Sequence, residues 1–348
     1  MNIVFRVDSS SQMGVGHLMR CITLADGFRK KGSKITFICR ALQGNSNDLI
    51  MDKVISLPKN DNFQSDNLYL NWLGATQEQD AGQTISVITK AVDIIVVDSY
   101  ALSERWHQML RPYAEKIMVI DDLADRKHQC DVLLDQTFDR QKEDYLPFVP
   151  QGCELLLGSQ YALLRPEFSK WREYSLGCRS KLAFKHLLIS MGGADPDNIT
   201  GKILDKLNAC SLPDDISITI VMGGSAPHIK SVKLKANTLP CKAEVKVGVD
   251  NMAEIMANSD LAIGASGSTT WERCCLGLPT IQLVIARNQY MIAKILAEKN
   301  IIKTIKNIKK LPNTMSNAII HMEELSNASR EVSDGMGSKR VLHSMLEH

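Results

Sequence analysis

The sequence predicts an α/β protein with two doubly wound, Rossmann-like domains that face each other across a cleft. Apolar strand-like runs alternate with helical segments along most of the chain, and the alternation weakens at 165–183 before it restarts. Each half also opens with a strand that runs into a glycine-rich loop. Continuous Val, Ile and Leu runs between helices are typical of a parallel sheet covered on both faces. At roughly 100–200 residues per domain, the length of 348 residues also predicts two domains.

The predicted strands of the first half span 2–8, 34–40, 93–99, 116–122, 131–136 and 154–158, with helices near 17–31 and 103–112. Those of the second half span 186–193, 216–224, 243–249, 260–266 and 279–284, with helices from about 197 and 268 and near 289–300 and 313–325. Pro, Gly and scattered charge favour a boundary at 165–183. We therefore expect a catalytic, sugar-side domain over 1–165, a nucleotide-binding domain over 183–325 and a C-terminal helical segment over 326–348.

Composition excludes several classes of protein. Hydrophobic residues make up 44% of the chain and charged residues 23%, as in ordinary globular proteins, and the net charge is +2. Neither a nucleic acid nor a membrane is therefore expected as a partner. The N-terminus is predicted to be a strand and not a signal peptide, and no run approaches the roughly 18 apolar residues of a membrane span. The nine cysteines include no CxxC pair. We expect reduced cysteines, a cytoplasmic location and a monomer.

The first glycine-rich loop, RVDSSSQMGVGHLMRC at 6–21, does not fit a dinucleotide site. After Gly14 and Gly16, the fingerprint requires a third small residue, where this chain has Met19. The second predicted strand ends at Arg40, where the fingerprint requires an acid for the ribose. NAD, FAD and P-loop nucleotides are therefore not expected, and no cofactor is predicted.

A metal site is not predicted either. The eight histidines are dispersed, no HExxH motif is present, and adjacent Asp121 and Asp122 rarely both reach one ion. The favoured interpretation of IDDLADRKH is a strand end that turns into a charged loop.

The stretch DLAIGASGSTTWERCCLGLP at 260–279 is the most informative in the second half. A buried strand is followed by a turn whose backbone N–H groups, hydroxyls and helix N-terminus favour a phosphate. A carboxylate one turn into that helix can accept two hydrogen bonds from a ribose diol, although N-capping with a first-turn Glu is an equally simple explanation. The glycines of GGADPDN would let a diphosphate approach the backbone. The nucleotide-binding candidates are Gly192, Gly193, Ser266, Gly267, Ser268, Thr269, Thr270 and Glu272.

Nine stretches, taken in order, resemble the family of UDP-sugar hydrolases of pseudaminic acid biosynthesis. This family is related to GT-B glycosyltransferases such as the enzyme that makes lipid II. The resemblance covers nearly the whole chain. The stretches are RVDSSSQMGVGHLMRC, VVDSY, VIDDLADR, DVLLDQ, YALLRPEF, MGGADPDN, GASGSTTWERCCLGLP, ARNQ and DGMGSKRV.

The resemblance implies a GT-B fold in which the C-terminal half binds UDP, the N-terminal half supplies the catalytic group and water is the acceptor. The sugar would be a 2,4-diacetamido-2,4,6-trideoxy hexose. Four functional residues of the family carry over by motif: His17 from GxGH, Arg165 from YALLRPEF, Glu272 after STTW and Asn288 from NQ. Arg165 and Asn288 are expected on the substrate, and His17 is expected to be catalytic.

Hydrolysis with inversion needs a general base for the water and stabilisation of the departing UDP. A histidine in the first turn of a helix suits the base, because imidazole is partly neutral at neutral pH and the positive helix end disfavours its protonation. A capping or core role is the alternative for His17. Asp8 is a candidate to orient His17 and to line the substrate site, although a structural strand-end carboxylate is the simpler explanation. Gly14 and Gly16 would let the sugar approach the backbone. Arg20, one turn along the helix, is expected to meet a carboxylate, a substrate oxygen or only its packing neighbours.

Three other functions remain open at this point. A GT-B glycosyltransferase would transfer the sugar to an acceptor other than water. A nucleotide-sugar-binding protein would catalyse nothing, and a related hydrolase would act on a differently configured sugar. The region 60–90, with Tyr69 and Trp72, is expected over the cleft, either on the sugar or as a surface helix.

Overall fold

The computed structural model describes residues 1–179, 183–210, 212–285 and 289–347. The chain divides into two compact units. The first contains residues 1–163 together with 337–348, and the second contains residues 164–336. Arg165 therefore lies in the second unit. Residues 326–348, expected as one C-terminal segment, are shared between both units.

The first unit contains a seven-stranded parallel sheet. Its strands are β1 (Asn2–Val7), β2 (Lys34–Arg40), β3 (Lys53–Leu57), β4 (Val92–Asp98), β5 (Ala114–Ile120), β6 (Val132–Asp135) and β7 (Glu154–Leu157). Their order across the sheet is β3-β2-β1-β4-β5-β6-β7. The helices are α1 (Gly16–Lys30), α2 (Leu68–Leu73), α3 (Gln77–Val87), α4 (Glu104–Leu110) and, from the end of the chain, α13 (Gly337–Glu347).

Two apolar clusters cover the two faces of this sheet. One joins alternate residues of β1 and β2 to α1, and Phe5 and Phe37 stack there with ring centroids 4.9 Å apart. The other joins the opposite residues of the same strands to α3 and α4 around fully buried Trp106. Because both faces are covered, the central strands are continuous apolar runs, which is why the sequence predicts them well.

The second unit contains a six-stranded parallel sheet. Its strands are β8 (His186–Ser190), β9 (Ser217–Met222), β10 (Lys242–Val247), β11 (Leu261–Ala265), β12 (Thr280–Leu283) and β13 (Lys303–Ile305), in the order β10-β9-β8-β11-β12-β13. Its helices are α5 (Pro166–Arg179), α6 (Ile199–Leu207), α7 (Ile229–Ala236), α8 (Met252–Ala257), α9 (Thr269–Cys275), α10 (Tyr290–Glu298), α11 (Leu311–Ile320) and α12 (Met322–Arg330). The prediction of two Rossmann-like domains is confirmed.

The segment 165–183 departs from the sequence prediction, because residues 166–179 form helix α5. Pro166 opens that helix, a position where the missing N–H of proline has no partner in any case. The sequence did not predict this helix because its charged residues do not fall on one side: Arg179 is buried although arginine normally indicates a surface position. The Arg179 guanidinium donates to the carbonyl oxygens of Ser259 at 2.7 Å and Leu276 at 2.9 Å.

The strand order creates one topological switch point at the carboxyl edge of each sheet. In the first sheet, the chain runs from β1 outwards through β2 and β3, then returns to start β4 on the other side of β1. In the second, β8 and β11 have the same relationship. Loops diverge at such switch points and leave a crevice in which α/β proteins bind their ligands.

Candidate active site

Helix α1 begins directly after a tight turn that follows β1. The Gly14 N–H donates to the Ser10 carbonyl oxygen at 2.9 Å, and Gly14 has a φ of 74°. That left-handed conformation is one that glycine adopts without steric cost. The turn delivers the chain to α1 at Gly16, so that His17 lies in the first helical turn at the switch point between β1 and β4.

His17 contacts a carboxylate at the end of β4. Its Nδ1 lies 2.6 Å from Oδ1 of Asp98, whose side chain is fully buried. A carboxylate accepts hydrogen bonds, so this contact assigns the proton of a neutral imidazole to Nδ1 and leaves Nε2 with its lone pair. Among the described residues, none forms a hydrogen bond with Nε2. The site thus presents one oriented imidazole nitrogen that can accept a proton.

Arg20 holds the same carboxylate from one turn further along α1. Its Nε donates to Asp98 Oδ2 at 2.6 Å and its Nη2 to Oδ1 at 2.7 Å, a two-point contact that fits the planar carboxylate. Its Nη1 donates to Asp122 Oδ2 at 3.1 Å. Of the alternatives for Arg20, the structure therefore supports the carboxylate.

Electrostatics reflect this arrangement. Burial alone would raise the pKa of the Asp98 carboxyl, but Arg20 and then His17 oppose it and hold that pKa well below its usual value. Burial and the neighbouring Asp122 raise the pKa of the Tyr100 hydroxyl, which hydrogen-bonds Asp122. Asp98 is therefore ionised and Tyr100 is neutral at neutral pH.

An aromatic row adjoins His17. The Tyr100 ring meets the His17 ring edge-on with centroids 4.7 Å apart, and Tyr69 lies 5.1 Å from Tyr100 on the other side. Trp72, on the same short helix α2, contacts Tyr69 at 5.4 Å. Part of the region 60–90 is thus a helix whose aromatic side chains reach the carboxyl edge of the sheet. The sequence missed Tyr100, although it directly follows the aspartate and serine of VVDSY.

For Asp8, the structure supports the simpler explanation of a structural carboxylate at a strand end over the candidate role of orienting His17. Its side chain is buried and accepts from Arg6 Nη1 at 2.7 Å and from the Arg40 backbone N–H at 2.6 Å. Arg6 and Arg40 also share Asp80, which accepts from Arg6 Nε at 3.0 Å and Arg40 Nη2 at 2.6 Å. Asp8 therefore belongs to a separate buried network, and the carboxylate that contacts His17 is Asp98.

The two adjacent aspartates after β5 have different roles. Asp121 is fully buried, pairs with Arg126 at 2.7 Å and accepts from the Tyr145 hydroxyl at 2.8 Å. Asp122 is partly exposed and faces Arg20. The interpretation of this segment as a strand end that turns into a charged loop is confirmed.

In the second unit, the two glycine-rich loops follow neighbouring strands at its switch point. Gly192 and Gly193 come after β8, and Gly267 and Ser268 come after β11. The backbone N–H groups of these four residues have no acceptor among the described parts of the chain. We call them the open N–H groups. A Cβ on Gly223 would lie 2.1 Å from the Gly193 carbonyl oxygen, so glycine at 223 lets the loop after β8 pack closely against the end of β9.

Several of the hydroxyls predicted for the nucleotide already form hydrogen bonds within the protein. Thr270 is buried, and its Oγ1 accepts from Gln282 Nε2 at 2.8 Å. Ser266 is also buried, whereas Ser268 is exposed. The Thr269 hydroxyl accepts from Arg273 Nη1 at 3.0 Å. Backbone groups therefore remain the main donors of this loop.

Helix α6 does not offer its N-terminus to an anion. Asp195 accepts from the N–H groups of Ile199 at 2.8 Å and Thr200 at 2.9 Å, and Asn198 accepts from Gly201 N–H at 3.1 Å. These caps satisfy three of the N–H groups at the start of α6, so that the donors of this loop are those of Gly192 and Gly193.

Glu272 lies one turn into α9, half-buried, beside Arg165 of the same unit. Burial raises the pKa of the Glu272 carboxyl, and the positive charges of Arg165 and Arg273 oppose that rise. Arg165 Nη2 in turn lies 2.9 Å from Glu167 Oε1. The structure thus brings Glu272 and Arg165, which were predicted separately, close together within one unit. Asn288 lies outside the described residues.

Across residues 1–179, 183–210, 212–285 and 289–347, no group of three or more His, Cys, Asp or Glu side chains is arranged to hold a metal ion. Within the same residues, no helix has the length and apolar character needed to cross a membrane.

The fold is of the GT-B class. The structure of MurG from Acinetobacter baumannii matches it with a TM-score of 0.70 over 100% of this chain and 99% of that one, at 12% identity. Residues 182–344 match the model of the glycosyltransferase family 28 C-terminal domain.

Sequence relatives narrow the class further. The chain is 28% identical to the UDP-2,4-diacetamido-2,4,6-trideoxy-beta-L-altropyranose hydrolase of Campylobacter jejuni over 86% of this chain and 97% of that protein. It is 25% identical to the uncharacterized protein MJ1062 of Methanocaldococcus jannaschii over 81% of this chain, but spans only 55% of that protein. The resemblance drawn from the nine stretches is confirmed, and an enzyme of the nucleotide-sugar processing kind is supported.

The Asp98 contacts predict a pH-dependent contribution to stability. The folded-state pKa of Asp98 is depressed, so its stabilisation is present above the unfolded value of about 3.9 and is lost as pH falls through the folded value. Asp98→Asn should therefore lower the free energy of unfolding by about 3 kcal/mol at pH 7. The deficit should shrink below pH 4, in urea titrations at each pH.

Asp26→Asn is the matched control, because Asp26 pairs with Arg29 at the exposed end of α1. It should cost about 1 kcal/mol or less at any pH. An Asp98→Asn deficit of that same small size at pH 7 would contradict the assigned role of the buried carboxylate.

Proposed function

We propose that the protein is a hydrolase that cleaves UDP from a UDP-linked 2,4-diacetamido-2,4,6-trideoxy hexose, a step of pseudaminic acid biosynthesis. Similarity to the Campylobacter jejuni hydrolase along 97% of that protein supports the substrate class. The observation that carries the proposal is His17, whose Nδ1 is held 2.6 Å from Asp98 so that Nε2 is left as a base.

In the proposed reaction, water attacks the anomeric carbon from the face opposite the diphosphate. The bond from that carbon to the phosphate oxygen breaks, and its electron pair leaves with UDP. His17 Nε2 takes the proton of the attacking water, and the Nδ1–H of the resulting imidazolium keeps its hydrogen bond to Asp98. A single displacement of this kind inverts the anomeric centre.

The second unit is proposed to hold UDP. The open N–H groups of Gly192, Gly193, Gly267 and Ser268 are suited to diphosphate oxygens, because unpaired backbone donors favour an anion. Glu272 would accept the two ribose hydroxyls. The match of residues 182–344 to a glycosyltransferase C-terminal domain supports this assignment.

The sugar is proposed to meet the glycine turn of the first unit at Gly14 and Gly16. Arg165, which lies beside Glu272, would contact the substrate from the second unit, together with Asn288. The proposed reaction uses no resident metal ion or cofactor, because backbone donors and Arg165 would balance the negative charge of the diphosphate.

A GT-B glycosyltransferase is the second candidate. The match of residues 182–344 to the family 28 C-terminal domain favours it, and this nucleotide half is one that both reactions would share. Incubation of the protein with the UDP-linked diacetamido sugar in plain buffer separates the candidates. We expect release of UDP and the free sugar without any added acceptor, observed by NMR from the first turnover. UDP-N-acetylglucosamine, tested side by side, should react more slowly. UDP release only after addition of an acceptor would contradict the proposal.

His17→Asn should reduce kcat by about 10²–10⁴-fold because it removes the base, while the dissociation constant of UDP stays nearly unchanged. UDP release and calorimetric UDP binding measure the two quantities. His343→Asn, which changes an exposed histidine of the same unit, should alter neither. If His17→Asn weakens UDP binding instead, the first unit holds the nucleotide and the division of roles is wrong.

Glu272→Gln should have the opposite effect. Loss of a charged acceptor for the ribose should weaken UDP binding by about 10-fold or more, with a smaller effect on kcat at saturating substrate. Glu298→Gln, on exposed α10 of the same unit, is the control. Unchanged UDP affinity in Glu272→Gln would remove Glu272 from the proposed site.

A further inference from the structure

Arg20 is more than a packing residue of α1. Its guanidinium occupies both oxygens of Asp98, at 2.6 and 2.7 Å, and its Nη2 lies 3.1 Å from Nδ1 of His17. A positive charge therefore lies against the imidazole on the same side as the carboxylate. The Arg20 guanidinium therefore contacts His17 on α1, Asp98 at the end of β4 and Asp122 after β5.

An aspartate beside a histidine normally favours the imidazolium, because an opposite charge within about 4–6 Å stabilises the charged form. An imidazolium cannot take a proton from water. If Asp98 were unpaired, it would orient His17 and at the same time increase the fraction of imidazolium, which lowers the fraction of the base. Arg20 cancels the charge of Asp98 while leaving Oδ1 able to accept the Nδ1 proton.

We propose that Arg20 is a positioning residue that neutralises Asp98 and so keeps His17 in the neutral, proton-accepting form. The inference rests on the proposed function for its catalytic meaning, because a base is needed only if water or another acceptor is deprotonated. The groups that face His17 are Arg20 on α1, Asp98 at the end of β4, Tyr100 after it and, through Tyr100 and Arg20, Asp122 after β5.

The test is an NMR titration of the His17 imidazole, assigned by comparison with His17→Asn. In Arg20→Met, the midpoint of the titration should rise by about 1 pH unit or more, since Asp98 is then uncompensated. The acid limb of the kcat profile should move to higher pH by the same amount, while KM changes little. Arg20→Lys keeps the positive charge and should keep most of the native midpoint.

The double variant Arg20→Met/Asp98→Asn removes both charges and leaves an amide oxygen to accept from Nδ1–H. Its midpoint should lie within about half a pH unit of the native value, because the net charge of the pair is zero in both proteins. This variant carries the test alone if Arg20→Met does not fold by circular dichroism. Arg29→Met is the control, since Arg29 lies on the same helix, away from His17, and pairs with Asp26 and with Asp52 before β3.

Equal midpoints in the native chain and folded Arg20→Met would overturn the inference, and so would a double variant displaced by a full unit. The titration requires no substrate, so its result is separate from the proposed function. If the midpoint moves as expected but the native chain releases no UDP in water, the hydrolase proposal fails and the inference stands. If UDP is released but the midpoint does not move, Arg20 has only a structural role.

Discussion

The ionised carboxylate of Asp98 is the interaction on which the first unit's site depends. It is fully buried, and such a charge is costly unless every oxygen is satisfied. Arg20 satisfies both oxygens, and His17 adds a third contact. Because Arg20 and His17 are three residues apart on α1, the carboxylate fixes the rotation and depth of that helix against β4. The same contact therefore sets the local packing and the direction of the imidazole.

Topology explains why these groups meet. His17 follows β1 and Asp98 ends β4, and these strands are neighbours although they are far apart in sequence. The second unit repeats this relationship with β8 and β11, but its switch point presents backbone N–H groups instead of paired charges. Backbone donors suit an anion that must be bound, whereas an oriented imidazole suits a proton that must be moved. The proposed division between nucleotide and chemistry follows from that difference.

The sequence predicted most strands of both sheets because their buried runs are continuous. It did not predict β3 and β13, which lie at sheet edges, or α5, whose buried Arg179 looks like surface charge. His17 and the glycine loops were predicted because their motifs are local. The sequence could not show whether Asp8 or Asp98 contacts His17, because each aspartate stands at the end of an apolar strand and the two strands are neighbours in the sheet. Only the buried arginines Arg6 and Arg40, which hold Asp8 elsewhere, decide it.

Hydrolysis and glycosyl transfer require the same base and the same nucleotide loops, so the choice of acceptor must come from the groups around His17 Nε2. On the first unit, the ring of buried Tyr100 packs on the imidazole, and Tyr69 of α2 packs on Tyr100. Water needs only a small polar space beside the imidazole, whereas a sugar or lipid acceptor needs a surface of its own. Tyr69 packs on both Trp72 and Tyr100, and Tyr100 in turn packs on His17. Whether this aromatic row meets an acceptor sugar or only water is the difference between the two candidate reactions.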